Sequence, residues 1–222
     1  MVLWSVWKSR NELVWNQRGM SVIEVVESVK SLLYQWQSAQ DKTFDSFLGL
    51  MTREDGADHW RLPTEGTVKV NTDAAIFSSS DHFSFSMVAR SHSGEMIEAK
   101  YVGRKGVIQP ELAEAIGVKE ALSWVKKNKW TKVEVETDCL VVVQAVRSNA
   151  IKLSYLSGIV EECKQLLSSF RDQQVTLKFI KRSANKVAHY VARHTCSLAD
   201  RSWRMDNIHP DFLIILYEDL KD

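Results

Sequence analysis

Two periodicities divide this chain. In residues 21–37 (SVIEVVESVKSLLYQWQ) apolar side chains recur at 22, 25, 26, 29, 32, 33 and 36, which is one stripe of an amphipathic helix. Ser21 and Glu24 have capping-box spacing, so a helix start is expected there. Residues 1–40 are therefore predicted as a helical N-terminal extension, and 41–63, where the stripe is lost, as a linker. From residue 66 the period falls to two. TVKVNTDAAI sets Val68, Val70 and Thr72 against Lys69, Asn71 and Asp73, as a strand does. FSFSMVARS and EMIEAKYVG alternate as two further strands, joined as a hairpin across HSG. PELAEAIGVKEALSWVKKN is predicted helical with Pro110 in its first turn. KVEVET is a strand, DCLVVVQAVRSN a helix, residues 155–171 another helix, VTLKFIK a strand and NKVAHYVARHTCSLA a last helix. The order β-β-β-α-β-α-α-β-α implies a mixed, five-stranded sheet flanked by helices. Residues 64–200 form the main domain on this reading, and 201–222 a C-terminal tail.

Composition narrows the class without naming a function. The 222 residues are 45% hydrophobic and 26% charged, with 9 Gly and 3 Pro, as in an ordinary globular protein. The formal charge of +1 creates no global field toward nucleic acid or membrane, so any such attraction must be local. Cys139, Cys163 and Cys196 show neither zinc spacing nor an even count, which fits a reducing compartment. No apolar run approaches the roughly 18 residues of a membrane span. The opening MVLWSVWKSRN meets Lys8 and Arg10 too early for a secretory signal. An intracellular address, nuclear or cytoplasmic, is expected, with no membrane partner. The apolar stripe of the extension must be buried by the main domain, by self-association or by a protein partner.

Three acids attract attention, each with an ordinary explanation beside the functional one. Asp73 lies in a strand, where aspartate is disfavoured unless at an end or a bulge. Glu114 falls on the same helical face as Val118, Ala121, Leu122 and Val125, the stripe that should meet the sheet. A carboxylate there is costly unless paired or bound to a metal, although a first-turn acid is also favoured by the helix dipole. Asp138 closes a strand and opens a helix, the position of an N-cap.

The segments WRLPTEGTVKVNTDAA, MVARSHSGE, PELAEAIGVKEAL, VEVETDCLVVV and FIKRSANKVAHYVAR closely resemble, in order and spacing, the ribonuclease H fold in its plant-type, reverse-transcriptase-associated branch. The resemblance covers about residues 60–200. It implies a two-metal nuclease in which Asp73, Glu114 and Asp138 are catalytic metal ligands, with a fourth acid on the last helix after an Asn-x-x-Ala pattern. Asn185 and Ala188 match that pattern, and the acidic position is His189. Two Mg²⁺ ions about 4 Å apart are the expected cofactors, and an imidazole at 189 suits Mn²⁺ better than Mg²⁺. By resemblance Asp73 bridges both ions, Glu114 and Asp138 hold the leaving-group ion, and position 189 holds the ion that carries the attacking water. Histidine at 189 is therefore expected to impair hydrolysis. It also occurs in many plant members of the family.

Other departures are Asp-Ala-Ala for the common Asp-Gly-Ala, and Ser84 and Ser86 in a strand region often rich in glycine, near a surface the hybrid is expected to approach. LWSVWKSRNELVWNQRG resembles the tail upstream of this domain in plant retroelement polyproteins, which suggests a retrotransposon-derived ancestry. Its Trp4, Trp7 and Trp15 are expected to pack rather than stack on bases.

Between Asp172 and Asp200 the chain carries Lys178, Lys181, Arg182, Lys186 and Arg193 and no acid. With Asn185 these are candidate contacts to nucleic acid phosphates. Lys126, Lys127, Lys129 and Lys132 read as a solvated surface. The partner implied is an RNA–DNA hybrid, recognised by shape and 2′-hydroxyls. Two functions of different class follow: an endonuclease hydrolysing the RNA strand of hybrids, or a catalytically inactive module that binds nucleic acid or protein.

Overall fold

The computed structural model describes residues 51–220 except 53, 78–79, 149–155, 171–172 and 195–197, together with scattered positions between 6 and 29. The chain divides into two compact units, Met1–Leu50 and Met51–Asp222. In the first, the capping box forms as the spacing predicts. Ser21 N donates to Glu24 Oε2 at 2.6 Å, and Glu24 N donates to Ser21 Oγ at 3.3 Å. Positions 32, 33 and 36 of the stripe, together with Trp4 and Trp15, lie outside the described residues.

The second unit is built on β1 (Val68–Phe77), β2 (His82–Arg90), β3 (Met96–Lys105), β4 (Lys132–Thr137), β5 (Gln174–Phe179) and β6 (Arg201–Trp203). Its helices are α1 (Pro110–Asn128), α2 (Leu140–Arg147), α3 (Ser157–Ser168), α4 (Lys186–His194) and α5 (Pro210–Asp219). The strands form one sheet in the order β5-β4-β1-β2-β3-β6. β1 pairs antiparallel with β2 and parallel with β4, and β4 pairs parallel with β5, so the sheet is mixed as expected. It has a sixth strand beyond the expected five. β6 is three residues long and adds to β3 at Ala99–Trp203, too short for any alternation to show in sequence.

Both faces of the sheet are covered, which is why β2 is buried throughout and β1 over most of its length. On one face Val70, Phe85, Val133, Val135 and Leu177 form a core with Val118, Leu122, Val125, Val142 and Val160 of α1, α2 and α3. On the other, Val88, Ala99 and Tyr101 form a second core with Val187 and Val191 of α4 and Phe212 and Leu216 of α5. α1 lies close to the strands because of Gly117, where a Cβ would stand 2.9 Å from Thr72 Oγ1 and 3.4 Å from Phe85 Cβ. That hydroxyl cannot yield easily, since it donates to Ser86 O at 2.8 Å.

The boundaries expected at 63 and 201 fall inside this unit. Residues 51–63 are held by the domain rather than left as a linker. Ala57 bridges Ile180 as an extra parallel pair, and Trp60 is buried with its Nε1 donating to Asn71 Oδ1 at 3.0 Å. Asp55 accepts from Arg147 Nη1 at 2.6 Å, Phe179 N at 2.8 Å and Thr52 N at 2.6 Å. At the other end, the expected tail supplies β6 and α5. Asp219 accepts from Arg90 Nη1 at 2.8 Å in a fully buried ion pair, and Trp60 lies over the same guanidinium at 3.6 Å. Apart from Thr52 with Asp55, these contacts join residues well separated in sequence, and no local period announces them.

Candidate metal centre

The β1–β4 ladder ends at Thr72–Thr137. The next residue on each strand is an acid, Asp73 and Asp138, so strand register alone brings two carboxylates side by side. Asp73 sits mid-strand opposite Ser86 with no irregularity in the pairing, which sets aside the strand-end or bulge reading. Asp138 does not cap α2. The N-cap is Cys139, and no side chain caps that helix. Glu114 lies in the second turn of α1. Its Oε1 accepts from Ala74 N at 3.2 Å, just past the end of the ladder, while Oε2 is enclosed and has no partner.

Oxygen atoms of Asp73, Glu114 and Asp138 all lie within 4.8 Å of one another. Burial, and then the charges of Asp73 and Asp138, hold Glu114 well above the usual carboxylate range. Burial, the charge of Asp73 and a hydrogen bond with it push Asp138 up to about 6. Such shifts mark a pocket short of positive charge. Hard oxygen donors, an enclosed unpartnered Oε2 and excess negative charge fit a hard divalent cation held by these three residues. Neighbouring Cys139 is not a competing ligand, because burial raises its thiol to about 12.

His189 stands outside the cluster and reaches it through one residue. On α4, its Nδ1 lies 2.9 Å from Asp73 Oδ2. Arg182, in the 3₁₀ turn before α4, places Nη2 3.0 Å from Nδ1 and 3.1 Å from Nε2 of the same ring. Nearly equal distances put that nitrogen across the imidazole rather than along one lone pair.

The other residues expected at the site separate by burial. Asn185 is buried, and its Nδ2 donates to Thr72 O at 3.0 Å and to Asp138 Oδ1 at 3.3 Å, so it positions a carboxylate. Lys178 is ion-paired with Glu54 and with Glu134, the latter at 2.9 Å. Lys181, Arg182, Lys186 and Arg193 are exposed on the 3₁₀ turn and α4. Ser84 and Ser86 correct the sequence reading. Both are fully buried, donating to Ala192 O and Ala188 O at 2.7 Å each, and they fasten α4 to β2 beneath the site. Only the even spacing of two small hydroxyls on one strand face could have indicated this. Among the described residues no helix is long and apolar enough to cross a membrane.

Comparison with known proteins agrees with this architecture. The RNase H1 of the archaeon Halobacterium salinarum superposes with a TM-score of 0.51 at 19% identity, over 58% of this chain and 96% of that one. An N-terminal RNase H domain from Mycobacterium tuberculosis gives 0.49 at 22% identity, over 58% and 91%. An Arabidopsis thaliana protein provisionally named a ribonuclease H protein is 30% identical over 142 residues, covering 63% of this chain. The match takes in 22% of that relative, so the chain spans less than a quarter of its length. Fold and acidic cluster together define a ribonuclease H-like domain. Within that class the chain belongs to the reverse transcriptase-like family, whose pattern it matches over residues 71–195.

Proposed function

We propose that this domain is a metal-dependent endonuclease that hydrolyses the RNA strand of RNA–DNA hybrids. The observation that carries the reading is the approach of Asp73, Glu114 and Asp138 to within 4.8 Å at the end of the β1–β4 ladder. Asp73, Glu114 and Asp138 would hold Mg²⁺ or Mn²⁺, which when bound supplies Lewis-acid polarisation of the phosphodiester and activation of water. Asn185 fixes Asp138 through its amide, and Glu114 is fixed by Ala74 N, so two of the ligands are oriented in advance. Lys181, Lys186 and Arg193 are exposed on the elements beside the site and would meet backbone phosphates, giving binding that weakens steeply with salt.

A second reading has its own support. His189 commits an oxygen of Asp73 to an N–H, where the resemblance expects a fourth carboxylate. On that reading the scaffold binds nucleic acid or protein without cutting.

Cleavage of a labelled hybrid in Mg²⁺ and in Mn²⁺ separates the two readings, comparing the unmodified protein, His189→Asp and Asp73→Asn. Activity abolished by Asp73→Asn establishes the nuclease. Silence of the unmodified protein with activity in His189→Asp assigns a disarmed site. Silence in all three favours binding.

A further inference from the structure

The position that resemblance gives to a fourth carboxylate holds a side chain that cannot add negative charge in either ring state. A carboxylate only accepts, so the 2.9 Å contact requires a proton on His189 Nδ1 directed at Asp73 Oδ2. That oxygen is therefore already engaged by a hydrogen-bond donor. Arg182 adds a permanent cation, 3.0–3.1 Å from both ring nitrogens. Its charge also acts on Glu114 and Asp138, against the burial and the neighbouring carboxylates that raise both.

The turn that presents Arg182 is anchored on both sides. Lys181 N donates to Ala57 O at 2.8 Å, and Ser183 Oγ donates to Asp58 O at 2.5 Å. The guanidinium is thus delivered by a fixed backbone and not by a loose loop.

Charge counting then gives a stoichiometry. Four carboxylates neutralise two divalent ions. Here three carboxylates facing one arginine leave two negative charges, enough for one. We propose that Arg182, held against His189, takes the place of one of the two ions, so that the centre binds a single divalent cation between Asp73, Glu114 and Asp138. This deepens the metal-centre reading and rests on it.

The test is a titration of the full chain with Mn²⁺, followed by loss of the free-ion EPR signal, which needs no substrate and no turnover. The unmodified protein should bind one ion per chain, and the double variant Arg182→Gln/His189→Asp two. Arg182→Gln alone, a change at an exposed side chain, should tighten a second binding event by about tenfold or more, which keeps the proposal testable if the double variant does not fold. Two ions of similar affinity in the unmodified protein overturn the proposal and leave the metal centre standing. A second event no tighter in Arg182→Gln, or a single ion in a folded double variant, also overturns it. No Mn²⁺ bound by any of the three defeats the metal-centre reading itself.

Discussion

Replacing Asp138 with asparagine should stabilise the metal-free protein. The side chain titrates at about 6 in the folded state against an ordinary value of 3.8, chiefly because it is buried and then because Asp73 is beside it. A raised carboxyl pKa means that the native state binds the proton more tightly than the unfolded chain. Its contribution is thus fully present below 3.8 and is lost as pH rises through about 6. Roughly two pKa units at about 1.4 kcal/mol each give ~3 kcal/mol of destabilisation at neutral pH. The residue is only half-buried, so solvent screening reduces this to about 1–2 kcal/mol. Asparagine keeps an oxygen for Asn185 Nδ2 and removes the charge. Urea unfolding in chelator should therefore show Asp138→Asn about 1–2 kcal/mol more stable at neutral pH, with the gain shrinking on acidification. Saturating Mg²⁺ should reverse the order, since an ion at a hundred times its dissociation constant stabilises by ~2.7 kcal/mol only where it binds. A variant less stable than the parent in chelator, or one that gains as much from Mg²⁺, would refute the account of these carboxylates as a cation site.

Two further expectations concern the segments that flank the predicted domain. Burial alone would raise Asp55, but Arg147, Phe179 N and Thr52 outweigh it and hold the carboxyl down at about 2. Its contribution, about 2 kcal/mol, is therefore present above 3.8 and lost as pH falls toward 2. Asp55→Ala should cost ~3–5 kcal/mol in urea unfolding and flatten the acid limb of the stability profile; a loss below ~0.5 kcal/mol would return residues 51–63 to the status of a linker. At the other end, Asp219→Ala leaves Arg90 buried and unpaired and should cost ~3–5 kcal/mol in the same assay, while Arg90→Met with Asp219→Leu should recover most of that. Equal losses in the single and double variants would show that packing, not the ion pair, holds α5.

Local order along the chain is enough to write the regular elements. Apolar periods of two and 3.6 placed the first five strands and the helices α1 to α4, and α1 and β4 match the predicted spans residue for residue. Ser21 and Glu24 gave the capping box, because a cap spans one turn. The three acids were legible too. Glu114 is a charge on an apolar helical face, Asp73 lies within an alternating strand, and Asp138 follows one directly. Whatever depends on polar groups meeting across long separations is set only when the elements pack together. Docking of Asp55 on Arg147 and Phe179, burial of Arg90 by Asp219, and the seating of α4 on Ser84 and Ser86 are hydrogen bonds between single residues. Such pairs have no period, so neither partner reveals the other until the chain has folded. The same holds at the site. A histidine at 189 was visible at once, but that its ring would join Asp73 to Arg182 follows only from the packing of α4 and the anchoring of the turn before it.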